Sequence, residues 1–285
     1  MSDVPFGFLH PRVVRTERLS PSLIRVVLGG EDLSKVVTGG RDQRFKLFLP
    51  QPGQDAPVLP DVLDPDWYAA WRALDPATRG VMRTYTLRDV RQDPAEIDID
   101  FALHGDLGPA SRWAQRTVPG DRVAVLAPFV EDNGGVDFRP PHGTDWVLIT
   151  ADETALPAVA NILAWLPPGT PAKVWIEVPH PEDRIPLPTK ADAEVSWLIR
   201  GTGVADRTTP LLSAVSRAAL PQGTPYAWIA GEAACVRALR RHLVNDRCFD
   251  RKAISFMGYW RRGASEDELL TAAVSEAEDK EKVNA

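Results

Sequence analysis

The chain has 285 residues, 44% of them hydrophobic and 25% charged, with a formal net charge of -6. At roughly 100–200 residues per domain the length accommodates two domains; the composition excludes global disorder, and the acidic balance argues against a general nucleic-acid binder. Two cysteines, Cys235 and Cys248, exclude a disulfide framework, a four-thiolate zinc site and a four-cysteine iron–sulfur cluster. No apolar run reaches the roughly 18 residues of a membrane span, and no basic leader precedes an apolar stretch, so a cytoplasmic protein without membrane insertion is expected.

The first half reads as strands. Leu23 to Leu28 is a β-run ending at Gly29-Gly30, and R-F-K-L-F-L at 44–49 alternates basic with apolar before Pro50. A proline-rich stretch, 51–80, interrupts the series, and Trp67, Tyr68 and Trp71 inside it are spaced for a short helix. Arg83 to Leu87 is again strand-like. From Ile97 to His104, Ile97, Ile99, Phe101 and Leu103 are expected on one face, with Asp98, Asp100, Ala102 and His104 on the other. Val123 to Leu126 follows the turn Pro119-Gly120-Asp121. Short strands separated by turn signals suggest a small antiparallel barrel or sandwich.

Near Gly143 the pattern changes. W-V-L-I-T at 146–150 is a buried strand, and Leu156, Val159, Leu163 and Leu166 follow at helical spacing. Strands are expected at 173–178, 195–199, 226–230 and 254–260, with helices marked by Leu211, Val215 and Ala218 and by Val236, Leu239 and Leu243. Strand alternating with helix implies a parallel sheet covered on both faces. The crossover from 178 to 195 holds Pro179, Pro181, Pro186 and Pro188 and shows no helix. The expected division is 1–140, 141–263, and 264–285 as an acidic helix and mobile charged tail.

Two stretches carry chemistry. Arg83-Thr84-Tyr85-Thr86 combines a guanidinium suited to phosphate with an aromatic face suited to a flat ring, although an ordinary strand of β-formers reads the same way. The stretch 104–113, H-G-D-L-G-P-A-S-R-W, follows a strand and opens a helix; its glycines permit close approach, and free N–H groups at a helix start favour an anion. A plain turn before a capped helix is the simpler reading of the same residues.

R-T-Y-T at 83–86, D-F-A-L-H-G at 100–105, G-P-A-S-R-W-A at 108–114, A-D-E-T-A-L-P-A at 151–158 and G-Y-W-R-R-G at 258–263 together resemble the siderophore-interacting protein family. These are flavin-dependent ferric-siderophore reductases of the ferredoxin–NADP reductase superfamily. The resemblance implies an N-terminal antiparallel Greek-key β-barrel that binds FAD, followed by a parallel-sheet α/β domain for NAD(P)H. It also implies FAD contacts from Arg83, Thr84, Tyr85, Thr86, Asp100, Phe101, Leu103, His104, Gly108, Ala110, Ser111 and Trp113. Asp152, Glu153, Thr154 and Ala155 would meet the dinucleotide, with Thr154 capping the following helix. Gly231 and Glu232 resemble a G-E motif near the nicotinamide. Tyr259 and Trp260 stand where the superfamily covers the flavin with an aromatic, a position that simple sheet-end packing would also explain.

No G-x-G-x-x-G is present, so a plain Rossmann dehydrogenase is not supported. Glu177 favours a ribose diol while His180 and Arg184 favour a 2′-phosphate, which leaves NADH and NADPH both open. Neither a resident metal site nor a catalytic nucleophile is expected. Arg44, Lys46, Arg251, Lys252, Arg261 and Arg262 are the candidates for a basic pocket attracting an anionic ferric siderophore. A monomer is expected, with a separate redox protein open as electron donor. A general NAD(P)H:flavin or diaphorase-type reductase and a non-catalytic siderophore-binding flavoprotein are the rival readings.

Overall fold

The structure, a computed structural model, describes residues 5–60, 66–103, 108–201 and 208–264. His104 and the expected acidic tail beyond 264 lie outside the described residues.

The N-terminal part is built from two antiparallel sheets. One has the order β1 (Phe6–Leu9), β8 (Ala124–Pro128), β4 (Arg44–Leu49), β5 (Val81–Thr86). The other has β2 (Arg12–Ser20), β3 (Leu23–Gly29), β7 (Ala95–Ala102), β6 (Asp89–Gln92). Apolar side chains of alternate residues, among them Val26, Leu28, Phe45, Leu47, Ile97, Ile99, Phe101 and Val125, meet between the sheets and are buried. The sheets join at a corner where Val13 N–H donates to the Asp121 carbonyl at 2.9 Å, giving a flattened barrel. The helix α2 (Pro109–Arg116) closes one mouth by adding Ala110 and Ala114 to this core. Within the proline-rich stretch, α1 (Trp67–Ala73) lays Trp67 and Trp71 over Phe48 and Met82 on the outer face of β4 and β5.

The expected polar face of β7 is not a wet one. Glu96, Asp98 and Asp100 are all buried, beneath a roof of arginines. Arg91 reaches both Glu96 and Asp98, Arg15 pairs with Glu96, and Arg25 grips Asp100. The alternation holds along β7, but solvent on the second face is replaced by guanidinium groups from neighbouring strands and the loop before β6.

The C-terminal part is one parallel sheet, β11 (Asp192–Ile199), β10 (Pro171–Val178), β9 (Trp146–Asp152), β12 (Pro225–Glu232), β13 (Ile254–Trp260). Helix α3 (Leu156–Trp165) covers the face bearing Val147, Ile149 and Val174. Helices α4 (Thr209–Arg217) and α5 (Ala233–Asn245) cover the face bearing Trp146, Leu148 and Ile229. Between β10 and β11 only a single 3-10 turn, Pro181–Asp183, interrupts the proline-rich crossover.

The two parts are held by buried polar contacts. Asp42 accepts the Trp228 indole N–H at 2.9 Å and the Phe138 backbone N–H at 3.0 Å. Asp183 accepts from the Ser20 hydroxyl at 2.6 Å, the Ser22 N–H at 2.9 Å and the Ser22 hydroxyl at 2.8 Å. Arg88 donates to Asn161 at 2.8 Å, and Asn161 donates back to the Leu87 carbonyl at 3.0 Å. Buried polar groups are costly unless satisfied, so these contacts specify one mutual orientation.

Candidate functional site

In an open parallel sheet a ligand sits outside the carboxyl ends of the strands, where the strand order reverses. Here that point is β9, flanked by β10 and β12. Asp152, the last residue of β9, gathers donors from three strand ends. Its Oδ1 accepts the Thr154 N–H at 2.9 Å and the Thr154 hydroxyl. Its Oδ2 accepts the Glu232 N–H at 2.9 Å and the Trp260 indole N–H at 2.8 Å. Burial and the neighbouring Glu153 push this carboxyl up from its ordinary range, against the pull of those hydrogen bonds. Gly231 stands at φ +139, and a Cβ there would lie 2.7 Å from Asp152 Oδ2, so only glycine fits.

Glu232 turns back to cap α5. Its Oε2 accepts from the Ala234 N–H at 2.6 Å and the Cys235 N–H at 3.1 Å, while Oε1 lies 3.4 Å from the Arg262 N–H. Glu153 is committed elsewhere, held by both Arg200 nitrogens at 2.6 and 2.9 Å, and Arg200 also lies 3.5 Å from Glu177. The three side chains are only 5%, 1% and 2% exposed for Arg200, Glu153 and Glu177, forming a buried acid–base–acid triad. Sequence reading gave no role to Arg200, because its partner Glu153, just past β9, lies 47 residues away along the chain.

Thr154 does not cap α3. Ala155 stands at the N-cap with no side-chain hydrogen bond, and the Thr154 hydroxyl turns to Asp152 instead.

On the barrel side, register splits the R-T-Y-T strand between two faces. Leu47 pairs with Arg83 and Phe45 with Tyr85, while Lys46 pairs with Thr84 and Arg44 with Thr86. Tyr85, Phe101 and Trp113 form an aromatic wall beside α2, with ring centroids 4.4 Å apart for Tyr85 and Phe101 and 5.8 Å for Phe101 and Trp113. Leu103, half-buried, continues this strand and donates its N–H to the Ser22 carbonyl at 2.8 Å. Gly108 caps α2 with open space where a Cβ would stand, and Ser111 is buried in the first turn. On the opposite face Lys46 donates to the Thr84 hydroxyl at 2.7 Å.

The barrel strand and the sheet end meet at one seam. The Thr86 side chain hydrogen-bonds the Tyr259 phenol, whose pKa burial raises, and Tyr259 packs edge-on against Trp228. Arg44 pairs with Asp137 at 2.9 Å and contacts the Met257 sulfur at 3.2 Å, so it serves this seam.

Asp100 leaves the candidate contacts. Both its oxygens are taken by Arg25, at 2.6 and 2.9 Å, on the face away from the inter-sheet core. Arg251 and Lys252 leave the candidate pocket as well. They form the exposed 3-10 turn before β13, at the strand's amino end, roughly 20 Å from Trp260 at ~3.3 Å per residue. Arg261 and Arg262 stand at the carboxyl end, beside Glu232.

The profile of the "Siderophore-interacting FAD-binding domain" matches residues 12–132, and that of the "Siderophore-interacting protein" matches 144–263. The chain belongs to the siderophore-interacting protein family. It is 31% identical to the ferric vibriobactin reductase ViuB of Vibrio cholerae, over 91% of this chain and 92% of that one. It is 28% identical to the NADPH-dependent ferric-chelate reductase of Escherichia coli, over 89% and 92%. A crystal structure of a siderophore utilization protein from T. fusca superposes with a TM-score of 0.80 at 31% identity, covering 93% of this chain and 96% of that one. Among the described residues no helix is long and apolar enough to cross a membrane, and no cluster of side chains is arranged to hold a metal ion.

For a family that binds FAD, the residues fit. An aromatic wall suits the flat ring, Arg83 and the start of α2 suit the pyrophosphate, and β5 is a sheet-edge strand beside them.

Proposed function

We propose that this protein is a ferric-siderophore reductase, taking reducing equivalents from NAD(P)H through FAD to Fe(III) held by a siderophore. The observation that carries the reading is the seam itself: within a chain of this family, the Arg83–Thr86 strand meets β13, next to β12 in the parallel sheet, through Thr86 and Tyr259. When bound, FAD supplies exchange between one hydride received and two single electrons delivered to two ferric ions, with the proton passed to solvent. Reduction weakens the hold of hard oxygen donors on iron, so Fe(II) leaves to other ligands.

The chain's own residues bind and orient. Arg83 and the α2 N-terminus, through Gly108, Ala110 and Ser111, hold the pyrophosphate. Tyr85, Phe101, Leu103 and Trp113 wall the ring, and Thr84 and Thr86 flank it. Thr154, Gly231 and Glu232 line the dinucleotide crevice. Trp260 covers the ring from the sheet side. Lys46, Arg261 and Arg262 supply positive potential for an anionic chelate despite the net charge of -6. Residues 1–140 and 141–263 act as the flavin and nicotinamide units of one copy of the chain. The reaction belongs in the cytoplasm, and a separate redox protein is the alternative donor.

The test compares turnover of a ferric siderophore with turnover of free flavin by the FAD-loaded protein. Preference for the ferric siderophore supports the reading. Preference for free flavin makes the protein a general reductase, and siderophore binding without NAD(P)H oxidation makes it a carrier.

A further inference from the structure

The Asp152 carboxylate ties β9, β12 and β13 together at their carboxyl ends. Four donors converge on its two oxygens, from Thr154 N–H, Thr154 hydroxyl, Glu232 N–H and Trp260 indole N–H. The close approach is built in: Gly231 leaves room for Oδ2 that any Cβ would occupy. An ordinary strand-end carboxylate would be solvated, yet this one is buried among Glu153, Glu177 and Glu232, with Arg200 already engaged by Glu153. Such an arrangement costs desolvation, and among the groups it secures is the Trp260 indole, a side chain outside the hydrogen-bonded ladder.

We infer that Asp152 is a positioning residue that fixes the Trp260 indole at the seam and thereby sets how that ring meets the flavin. The inference rests on the proposed function only in its last clause. Trp260 is the last residue of β13, paired with Glu232 in the ladder, and the bond to Oδ2 holds its indole. The same carboxylate also fixes the Glu232 N–H at the head of α5, so the indole and the G-E turn are set together. Asparagine cannot replace it. An amide offers one acceptor oxygen and directs an NH2 at the remaining donors.

The test begins without any cofactor. Indole-15N labelling of the nine tryptophans gives one N–H signal per ring, and Trp260→Phe identifies the Trp260 signal by its loss. In Asp152→Asn this signal is expected to shift and its solvent exchange to rise at least about tenfold, with the other indole signals unmoved. A Trp260 signal unchanged in a folded Asp152→Asn protein overturns the inference. Should Asp152→Asn fail to fold, the unaltered protein decides: a Trp260 N–H protected from exchange supports the bond, and an unprotected one overturns it.

The second arm is a cycle of FAD affinity over Asp152→Asn, Trp260→Phe and the double variant. Asp152→Asn is expected to weaken FAD binding several-fold in the unaltered background and less than about twofold once Trp260 is phenylalanine. Equal penalties in both backgrounds overturn the inference. Absence of FAD binding by the unaltered protein instead overturns the functional reading, and the indole signals still judge the Asp152–Trp260 bond.

Discussion

Trp228 crosses from the parallel sheet to the barrel and places its indole N–H 2.9 Å from Oδ2 of Asp42, a carboxylate only 2% exposed. The same carboxylate accepts the backbone N–H groups of Asp137 and Phe138, at the segment linking the two parts. Trp228→Phe keeps most of the ring volume and removes the one side-chain donor shown on this buried carboxylate. It should cost about 1–3 kcal/mol in urea unfolding, with little change in the slope. A variant as stable as the parent would show that the contact does not hold the seam.

Asp183 provides a second tie, and its effect depends on pH. Burial pushes its carboxyl up, but hydrogen bonds from Ser20, Ser22 and the His180 N–H outweigh that and hold it below its ordinary range. A carboxylate lowered on folding stabilises the native state above its unfolded pKa of about 3.9, and that stability is lost as pH falls through the lower folded value. Asp183→Asn should therefore destabilise most near neutrality, with the deficit shrinking in acid below about pH 4. A deficit that stays constant across that range contradicts the assignment.

The Glu153–Arg200–Glu177 triad is buried, so removing its centre takes the guanidinium away from two buried carboxylates. Arg200→Met should destabilise the protein by roughly 3–5 kcal/mol, read as a lower Tm. Arg200→Lys should recover only part of the loss, because it cannot make the bidentate contact with Glu153.

Arg83→Ala should weaken FAD retention by about 1–3 kcal/mol if the guanidinium meets the pyrophosphate through charge-assisted bonds. Flavin content after gel filtration reads this directly. Unchanged content would move the phosphate contact to the α2 N-terminus.

Much of this architecture was legible in the residues. The alternation through Ile97, Ile99 and Phe101 announced β7, and the spacing of Leu156, Val159 and Leu163 announced α3. By contrast β2 escaped notice because Arg12–Ser20 is largely exposed and charged, leaving no period of two to read. The four-residue strands β1 and β6 were too short to show one.

Motif residues were legible as types but not as partners. Asp100 looked like a ligand contact because nothing in its strand shows Arg25 folding over it. Thr154 looked like a cap, since serine and threonine usually are, until Asp152 proved the nearer acceptor. Arg251 and Lys252 are near neighbours of Arg261 and Arg262 in the sequence, yet the strand between the two pairs carries them to opposite sheet ends. The contacts that define the seam, such as Asp42 with Trp228, span far more sequence than any local pattern reaches.

One anaerobic experiment bears most directly on the whole account. The FAD-loaded protein is mixed with NADH or NADPH and its flavin absorbance followed, after which a ferric siderophore is added with a ferrous chelator. The account predicts bleaching by a nicotinamide, then return of the flavin colour as the ferrous complex appears. A flavin that bleaches and stays bleached, with no ferrous iron captured, would contradict it.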